Sequence, residues 1–112
     1  MKFLNDVHEF CNKERSVSFY AERCCLSPKY FAKLITDAMG RKPGDIIKEN
    51  VILEAKVLLI AKSYSIQQVS DKLNFPNPSF FCKYFKAATG TSPRKYQLHG
   101  EKVTEDVKDS TL

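Results

Sequence analysis

The sequence has no apolar run that approaches the roughly 18–20 residues needed to cross a membrane as a helix. Its two histidines, His8 and His99, lie far apart in the chain and outside any catalytic motif. It also has no phosphate-cradling glycine loop, no Ser/His/Asp or Cys/His set and no catalytic pair of carboxylates. These absences argue against a membrane-spanning protein and against an enzyme.

Cysteine is present, but without the spacing of a metal site. No C-x-x-C motif or Cys/His cluster occurs, so we expect neither zinc nor any other cofactor. No secretory apolar segment precedes the cysteines, which makes a disulfide framework improbable. We therefore expect buried or half-buried thiols in a reducing, cytoplasmic compartment. The four thiols belong to Cys11, Cys24, Cys25 and Cys82.

Positive charge is concentrated in the body of the chain. The chain has 112 residues, which is enough length for one small domain. Its net charge is +5. Residues 101–112 contain four acidic side chains and two lysines, which leaves residues 1–100 with sixteen basic and nine acidic side chains, a net +7. This distribution suggests a polyanionic partner. A solvated, lysine-rich surface would give the same composition, so charge alone does not distinguish a polyanion-binding protein from one with an ordinary solvated surface.

Helical periodicity and capping residues recur along the chain, and no strand pattern competes with them. Apolar spacing predicts a helix over about residues 3–13, and Ser18 is expected to cap a short helix that ends at Cys25. Ser27-Pro28 is a strong helix start, and Gly40 a left-handed stop. Residues 43–62 read as a long, substantially buried helix. The remaining starts are Ser65 with Gln68 as a capping box, Asn77-Pro78 before a stop at Gly90, and Ser92-Pro93.

An internal repeat is visible at a constant offset of 50. Residues 27–40 align with residues 77–90, and the short helices upstream align at an offset of 49, so one residue is inserted in the second turn. Each copy predicts a short helix, a tight turn, a longer capped helix and a glycine. That order is the helix-turn-helix plan, in which the second helix reads the major groove of DNA. Identical pairs are Pro28/Pro78, Phe31/Phe81, Lys33/Lys83, Ala38/Ala88 and Gly40/Gly90.

A helical solenoid that binds protein is the alternative interpretation of the repeat, but such arrays normally need three or more repeats. The connecting helix also fits a DNA reader. About twenty residues at 1.5 Å each give roughly 30 Å, close to the ~34–36 Å of one turn of B-DNA. The expected recognition helices, residues 28–39 and 78–89, could therefore enter successive major grooves.

The predicted faces of the two recognition helices indicate which residues meet DNA. Phe31, Leu34 and Ile35 are expected to pack inward, as are Phe81, Tyr84 and Phe85. The opposite face then holds Lys33 and Lys83 at equivalent places, where a long cation reaches guanine acceptors or phosphates. The other residues expected on this face are Lys29, Ala32 and Thr36 in the first copy and Ser79, Cys82 and Lys86 in the second.

Phosphate contacts are expected from helix N-termini and the basic residues beside them, because free N–H groups favour anions. Such contacts add affinity that weakens with salt and carry little sequence information. The predicted phosphate contacts are Ser18, Thr36, Arg41, Lys42, Ser65, Lys86, Ser92, Arg94 and Lys95.

On these residues the chain resembles the DNA-binding domain of the AraC/XylS family of bacterial transcription regulators, over about residues 16–97. The motifs that carry the resemblance are L26-S-P-K-Y-F-A-K-L34, A55-K-V-L-L59, S65-I-Q-Q-V-S-D-K-L-N-F75, S79-F-F-C-K-Y-F-K86 and T89-G-T-S-P-R-K-Y96. The resemblance implies seven helices, two of which read adjacent major grooves. It places base contacts at Lys29, Ala32 and Lys33 in the first copy and at Pro78, Ser79 and Lys83 in the second.

Several positions depart from the family pattern. Arginine is frequent where Lys33 and Lys83 stand, and lysine lacks the bidentate fork that suits guanine. The usual glycine before the second-copy phenylalanine is Asn74, a residue that tolerates the left-handed conformation. The usual Glu-Ile-Ala is Gln68-Val69-Ser70. These changes affect the expected strength of base recognition more than the fold.

The sequence therefore predicts an all-α, homeodomain-like domain over residues 1–98, followed by a disordered tail, residues 99–112. Its parts are a first helix-turn-helix (18–40), a linker helix (43–62), a second helix-turn-helix (65–90) and a closing helix (92–98). The expected function is sequence-specific binding of double-stranded DNA at the nucleoid to regulate transcription, with RNA polymerase as a further partner. The alternative is an all-α protein-interaction module. Because members of the AraC/XylS family typically carry a separate sensing or dimerisation domain, the chain is expected to be either the C-terminal domain of a longer regulator or a natural single-domain member, and we favour the first.

Overall fold

The computed structural model describes residues 2–99, and over this range the chain forms seven helices and no strand. The all-α prediction is confirmed. The predicted tail lies outside the described residues except for His99, which ends the last helix. The helices are α1 (Lys2–Phe10), α2 (Val17–Arg23), α3 (Pro28–Met39), α4 (Pro43–Ala61), α5 (Ile66–Lys72), α6 (Pro78–Thr89) and α7 (Pro93–His99).

The helix ends follow local capping chemistry. Ser65 and Gln68 form the expected reciprocal capping box at the start of α5. Gly40 and Gly90 end α3 and α6 with φ of 71° and 83°, a left-handed conformation that glycine adopts without a steric penalty. Both predictions are confirmed. The long helix α4 ends at Ala61, because Lys62 is itself left-handed with φ of 58°.

The start of α2 differs from the prediction. Ser16, with extended backbone angles, is the N-cap, and its side chain accepts a hydrogen bond from the N–H of Ser18. The expectation that Ser18 caps this helix was therefore wrong. The apolar residues Val17, Tyr20 and Ala21 already follow helical spacing, which places the cap one residue before Val17.

Both helix-turn-helix turns have the same backbone geometry. The Leu26 N–H donates to the Ala21 carbonyl at 3.0 Å, and the Phe75 N–H donates to the Ser70 carbonyl at 3.0 Å. This bond over five residues closes a Schellman-type turn. Its left-handed residue is Cys25 (φ 58°) in the first turn and Asn74 (φ 59°) in the second. Asn74 therefore adopts the left-handed conformation that it was expected from the sequence to tolerate.

The chain divides into two compact units, unit 1 (Met1–Val51) and unit 2 (Ile52–Leu112), with the boundary inside α4. In unit 1, the Phe3 ring contacts Tyr20 edge-on at 5.7 Å between centroids and Phe31 at 5.1 Å. Phe3 is 2% exposed. Helix α1 therefore contributes a central side chain to the core that holds α2 and α3.

An ion pair between the buried Asp6 and the partly exposed Arg23 also joins α1 to α2. Asp6 is 4% exposed, and its Oδ2 lies 3.2 Å from the Arg23 Nε. The Arg23 guanidinium is stacked 4.5 Å from the centre of the Phe10 ring. Nearby, the Tyr20 hydroxyl donates to the Glu14 carbonyl at 2.7 Å, and burial raises the pKa of Tyr20. These contacts hold α1, α2 and the segment between them together.

Aromatic rings form the core of unit 2. Phe75 lies 5.1 Å from Phe81 and 5.2 Å from Tyr84, and Phe85 lies 5.6 Å from Tyr96 of α7. These packed aromatic pairs hold α6 against the turn before it and the helix after it. The Gln97 side chain donates to the Tyr64 carbonyl at 2.7 Å, which fixes α7 to the segment before α5.

Helix α4 is less buried than the sequence predicts. Val51, Ala55 and Leu59 are fully buried, as the prediction requires. On the other side of the helix, Leu53 is 53% exposed and Val57 64% exposed. The helix is apolar on both sides, but only one side packs. Burial was also overestimated for Cys25, which is exposed; the other three cysteines are buried or half-buried.

Candidate nucleic-acid interface

Each of the two expected recognition helices, α3 and α6, is held at its start by a side-chain cap. The Ser27 Oγ accepts a hydrogen bond from the Tyr30 N–H at 3.3 Å, and the Asn77 Oδ1 accepts one from the Phe80 N–H at 2.8 Å. A proline occupies the first position of both helices. The first turns of α3 and α6 are thus built alike, and this turn is the part of a recognition helix that meets base edges.

In unit 1, a narrow buried stripe orients α3. Phe31 is 1% exposed and Ile35 6% exposed, while Lys33 is exposed. At about 100° per residue, Lys33 stands almost opposite this stripe. We call the outward side of α3 the reading face. It consists of the exposed Lys29, Lys33 and Thr36 with the half-buried Ala32.

The reading face of α3 borders a surface cavity of about 480 Å³. Lys33 and Thr36 line it from α3, and Lys42 lines it at the start of α4. The structure thus brings three of the predicted DNA contacts together around one cavity. The other lining residues are Val17, Ala32, Asp37, Pro43, Gly44 and Asp45.

Arg41 has a different environment from Lys42. Its guanidinium lies 2.6 Å from the Glu49 carboxylate, and both side chains are about half exposed (47% and 55%). An exposed ion pair of this kind contributes only about 0–1 kcal/mol, so it opens readily when a stronger anion approaches. Its predicted role as a phosphate contact stays a prediction.

In unit 2, α6 has an equivalent reading face. Phe81 and Phe85 are fully buried, and Lys83 is exposed on the opposite side. Around Lys83 the structure places the exposed Ser79 and Lys86, with Pro78 and Cys82 half-buried. The serine and lysine predicted to contact bases therefore share one accessible surface, with Lys86 beside them.

The other predicted contacts of unit 2 lie at two short helix starts. The Ser65 Oγ accepts from the Gln68 N–H at 3.1 Å, and the Ser92 Oγ accepts from the Lys95 N–H at 3.1 Å. Both hydroxyls act as caps and keep their own proton as a donor. Arg94 and Lys95 are exposed in the first turn of α7. In unit 1, Ser18 is exposed as the second residue of α2.

The sequence overestimated the width of the buried stripes. Leu34, expected to pack inward, is 41% exposed, and Tyr84 is half-buried. Tyr30, which continues the apolar pattern of α3, is 53% exposed, and Phe80 of α6 is 51% exposed. The buried stripe of each helix consists of two residues one turn apart, so a side chain that lies 60–100° from the edge of the stripe stays in solvent. The helical periodicity of the sequence could have predicted this exposure.

Residues 2–99 carry neither a cluster of metal ligands nor a membrane-spanning helix. No group of three or more His, Cys, Asp or Glu side chains in this range could hold a metal ion. No helix in the described part of the chain is long and apolar enough to cross a membrane.

The helix-turn-helix domain family matches residues 20–99 of the chain. The regulatory protein PocR of Salmonella typhimurium is 30% identical over 96 residues, which cover 86% of this chain and 32% of PocR. The arabinose operon regulatory protein of Escherichia coli is 28% identical over 91 residues, 81% of this chain and 31% of that protein. The chain thus spans about a third of the length of these curated relatives.

A solved structure shares the fold. The DNA-binding domain of the global transcriptional factor AdpA, in complex with a target DNA, superimposes with a TM-score of 0.77 at 22% identity. The match covers 89% of this chain and 90% of that domain. Helix α1, which the family match leaves out, is nonetheless part of the core of unit 1.

Proposed function

The chain belongs to the AraC-type helix-turn-helix family and is a sequence-specific DNA-binding domain of transcription regulation, and we propose that α3 and α6 are its two recognition helices. One observation carries the proposal. Both helices expose a lysine, Lys33 or Lys83, at the same repeat position and opposite a buried apolar stripe. An exposed lysine that recurs at the same place in both helices favours a shared contact with DNA over two unrelated solvated side chains.

The proposed base contacts are the outward residues of the first two turns. Lys33 and Lys83 reach guanine acceptors, and Ser79 offers a hydroxyl to either kind of base pair. Ala32 offers only a methyl group, which suits a thymine methyl. Lys29 extends the reading face of α3 toward its N-terminus. None of these side chains is a bidentate donor such as arginine, so we expect each contact to discriminate only modestly between the correct and the wrong base pair.

The proposed phosphate contacts surround these residues. In unit 1, Lys42 shares a cavity with Lys33 and Thr36, so a phosphate beside the recognition helix would meet a cation at the start of α4. In unit 2, Lys86, Arg94 and Lys95 are exposed for the same purpose. The hydroxyls of Ser18, Ser65 and Ser92 and the guanidinium of Arg41 complete the set.

We propose further that the two helices enter successive major grooves. The 19 residues of α4 span about 28 Å at 1.5 Å per residue, close to the ~34 Å of one B-DNA turn. A connector of that length supports a bipartite site read by one molecule. DNA binding also implies a nucleoid location. RNA polymerase and a sensing or dimerisation domain are proposed as partners in the whole regulator, since the chain spans about a third of its relatives.

The test uses DNA that the purified domain selects from genomic fragments, with affinity measured across a salt series. We expect Lys33→Ala with Lys83→Ala to weaken binding to the selected site about 5-fold per lysine, the effect of roughly 1 kcal/mol lost at each base contact. The affinity for random DNA should fall much less, because base contacts provide sequence discrimination.

A charge-matched control removes two lysines elsewhere. Lys13 and Lys62 are exposed and lie outside both recognition helices, so Lys13→Ala with Lys62→Ala should lower affinity for selected and random DNA equally and slightly. If the two double variants behave alike, the assignment of Lys33 and Lys83 is wrong. If the wild-type domain selects no sequence, base reading by α3 and α6 is wrong as a whole.

A further inference from the structure

The two recognition helices expose an aromatic ring at the same repeat position. Tyr30 is 53% exposed and Phe80 51% exposed, and each is the third residue of its helix. In both residues the backbone N–H donates a hydrogen bond to the side chain of the capping residue, which fixes the position of the backbone that carries the ring. Aromatic residues usually bury most of their surface, so two half-exposed rings at equivalent positions require an explanation.

The direction of Tyr30 follows from the buried stripe of α3. At about 100° per residue, Lys33 lies opposite Phe31 and Ile35, while Lys29 and Tyr30 lie on either side of Lys33. Helical side chains also lean toward the N-terminus of the helix. Tyr30 is therefore beside the reading face and inclined toward the end of α3 that meets DNA.

Packing does not account for Tyr30. The core position of this turn is filled by Phe31, which is 1% exposed and lies against Phe3 at 5.1 Å. The apolar edge continues outside the core, because Leu34, one turn further along α3, is 41% exposed. In α6, part of the Phe80 ring rests against Phe75, with 6.0 Å between centroids. The two rings thus border the reading faces and remain outside the cores.

We propose that Tyr30 binds the DNA backbone at the wall of the groove, with its hydroxyl donating a hydrogen bond to a phosphate oxygen and its ring lying against the adjoining deoxyribose. Phe80 makes only the ring contact in unit 2. Tyrosine hydroxyls are among the usual donors to the phosphates and sugars of DNA. The proposal rests on the proposed function, because it requires α3 to enter the major groove.

The repeat supplies reciprocal variants for the test. Tyr30→Phe removes the hydroxyl and keeps the ring, and Phe80→Tyr adds a hydroxyl to the equivalent ring. Tyr20→Phe is the control for loss of a hydroxyl, since Tyr20 is fully buried and DNA cannot reach it. Each is measured against the DNA selected by the wild-type domain, with circular dichroism as a check of folding. Duplexes with single methylphosphonate substitutions then neutralise one phosphate at a time.

We expect Tyr30→Phe to weaken binding about 3- to 10-fold, the usual effect of one lost hydrogen bond, with an unchanged salt slope because no charge is removed. Phe80→Tyr should tighten binding, and Tyr20→Phe should leave it unchanged. One methylphosphonate should weaken the wild-type domain but have no further effect on Tyr30→Phe, which assigns the hydrogen bond to a single phosphate.

Three results would overturn the proposal. Unchanged affinity of Tyr30→Phe excludes the hydrogen bond while leaving the wild-type binding, and therefore the proposed function, in place. The same conclusion follows if every methylphosphonate affects Tyr30→Phe as much as the wild-type domain. If the wild-type domain selects no DNA, the proposed function fails and this inference fails with it.

Discussion

A buried hydroxyl in unit 2 gives a sharp test of the packing. Ser70, in α5, is fully buried, and its Oγ has no hydrogen-bond partner among the residues that the structure describes. At the equivalent position of unit 1, Ala21 is also fully buried. A buried hydroxyl without a partner costs about 1–3 kcal/mol, and serine is a weaker helix former than alanine by a few tenths of a kcal/mol. A small packing loss opposes these gains when the oxygen is removed.

Ser70→Ala should therefore stabilise the domain by about 1 kcal/mol, which corresponds to a rise in Tm of about 4–8 °C for a domain of this size. Urea denaturation followed by far-UV circular dichroism measures the change, and the m-value should stay constant because the same surface is exposed on unfolding. The reciprocal variant, Ala21→Ser, introduces the same unpartnered hydroxyl into unit 1 and should destabilise by about 1–3 kcal/mol.

The two variants together test whether the Ser70 hydroxyl is unpartnered. A Ser70→Ala domain that loses 1 kcal/mol or more would mean that the hydroxyl has a partner, such as an ordered water, and that its removal breaks that contact. If Ser70→Ala and Ala21→Ser change the free energy of unfolding equally and not in opposite directions, the two units do not provide the same environment at this repeat position. Either result would contradict an unpartnered Ser70 hydroxyl in a site equivalent to that of Ala21.

Two further predictions concern unit 1. Because Ser16 caps α2 and Ser18 does not, Ser16→Ala should lower the free energy of unfolding by about 1 kcal/mol, and Ser18→Ala should change it by less than about 0.5 kcal/mol; the opposite order in urea denaturation would restore Ser18 as the cap. Phe3→Ala should cost about 3–5 kcal/mol, since its ring packs between Tyr20 and Phe31. A loss below 1 kcal/mol in the same assay would show that α1 is dispensable.

Local features of the fold were predictable because their causes lie within a few residues. Proline and a capping side chain start α3 and α6, and a left-handed glycine ends each of them. The repeat also shows from the sequence alone that Lys33 and Lys83 are equivalent, because they are separated by the constant offset of 50. The helix-turn-helix plan followed from these signals.

The width of each buried surface could not be predicted in the same way. Leu34 and Tyr30 have the chemistry of core residues, yet they stay in solvent because Phe31 and Ile35 already occupy the buried side of α3. The outward side of α4, which carries Val57, is exposed for a similar reason. Hydrophobicity shows which side chains favour burial, but the space left by neighbouring helices decides which of them achieve it.

The helices, most of their caps, the duplication and the identity of the residues on the outward turns could be read from the sequence, since all of these depend on short-range geometry and repetition. How those residues are presented depends on how the helices pack. It placed Lys42 in one cavity with Lys33 and Thr36, paired Arg41 with Glu49, buried Asp6 beside Arg23 and exposed Tyr30. These arrangements depend on residues from different helices or from the turns between them, and their energies depend on distances and burial that exist only after the helices have packed.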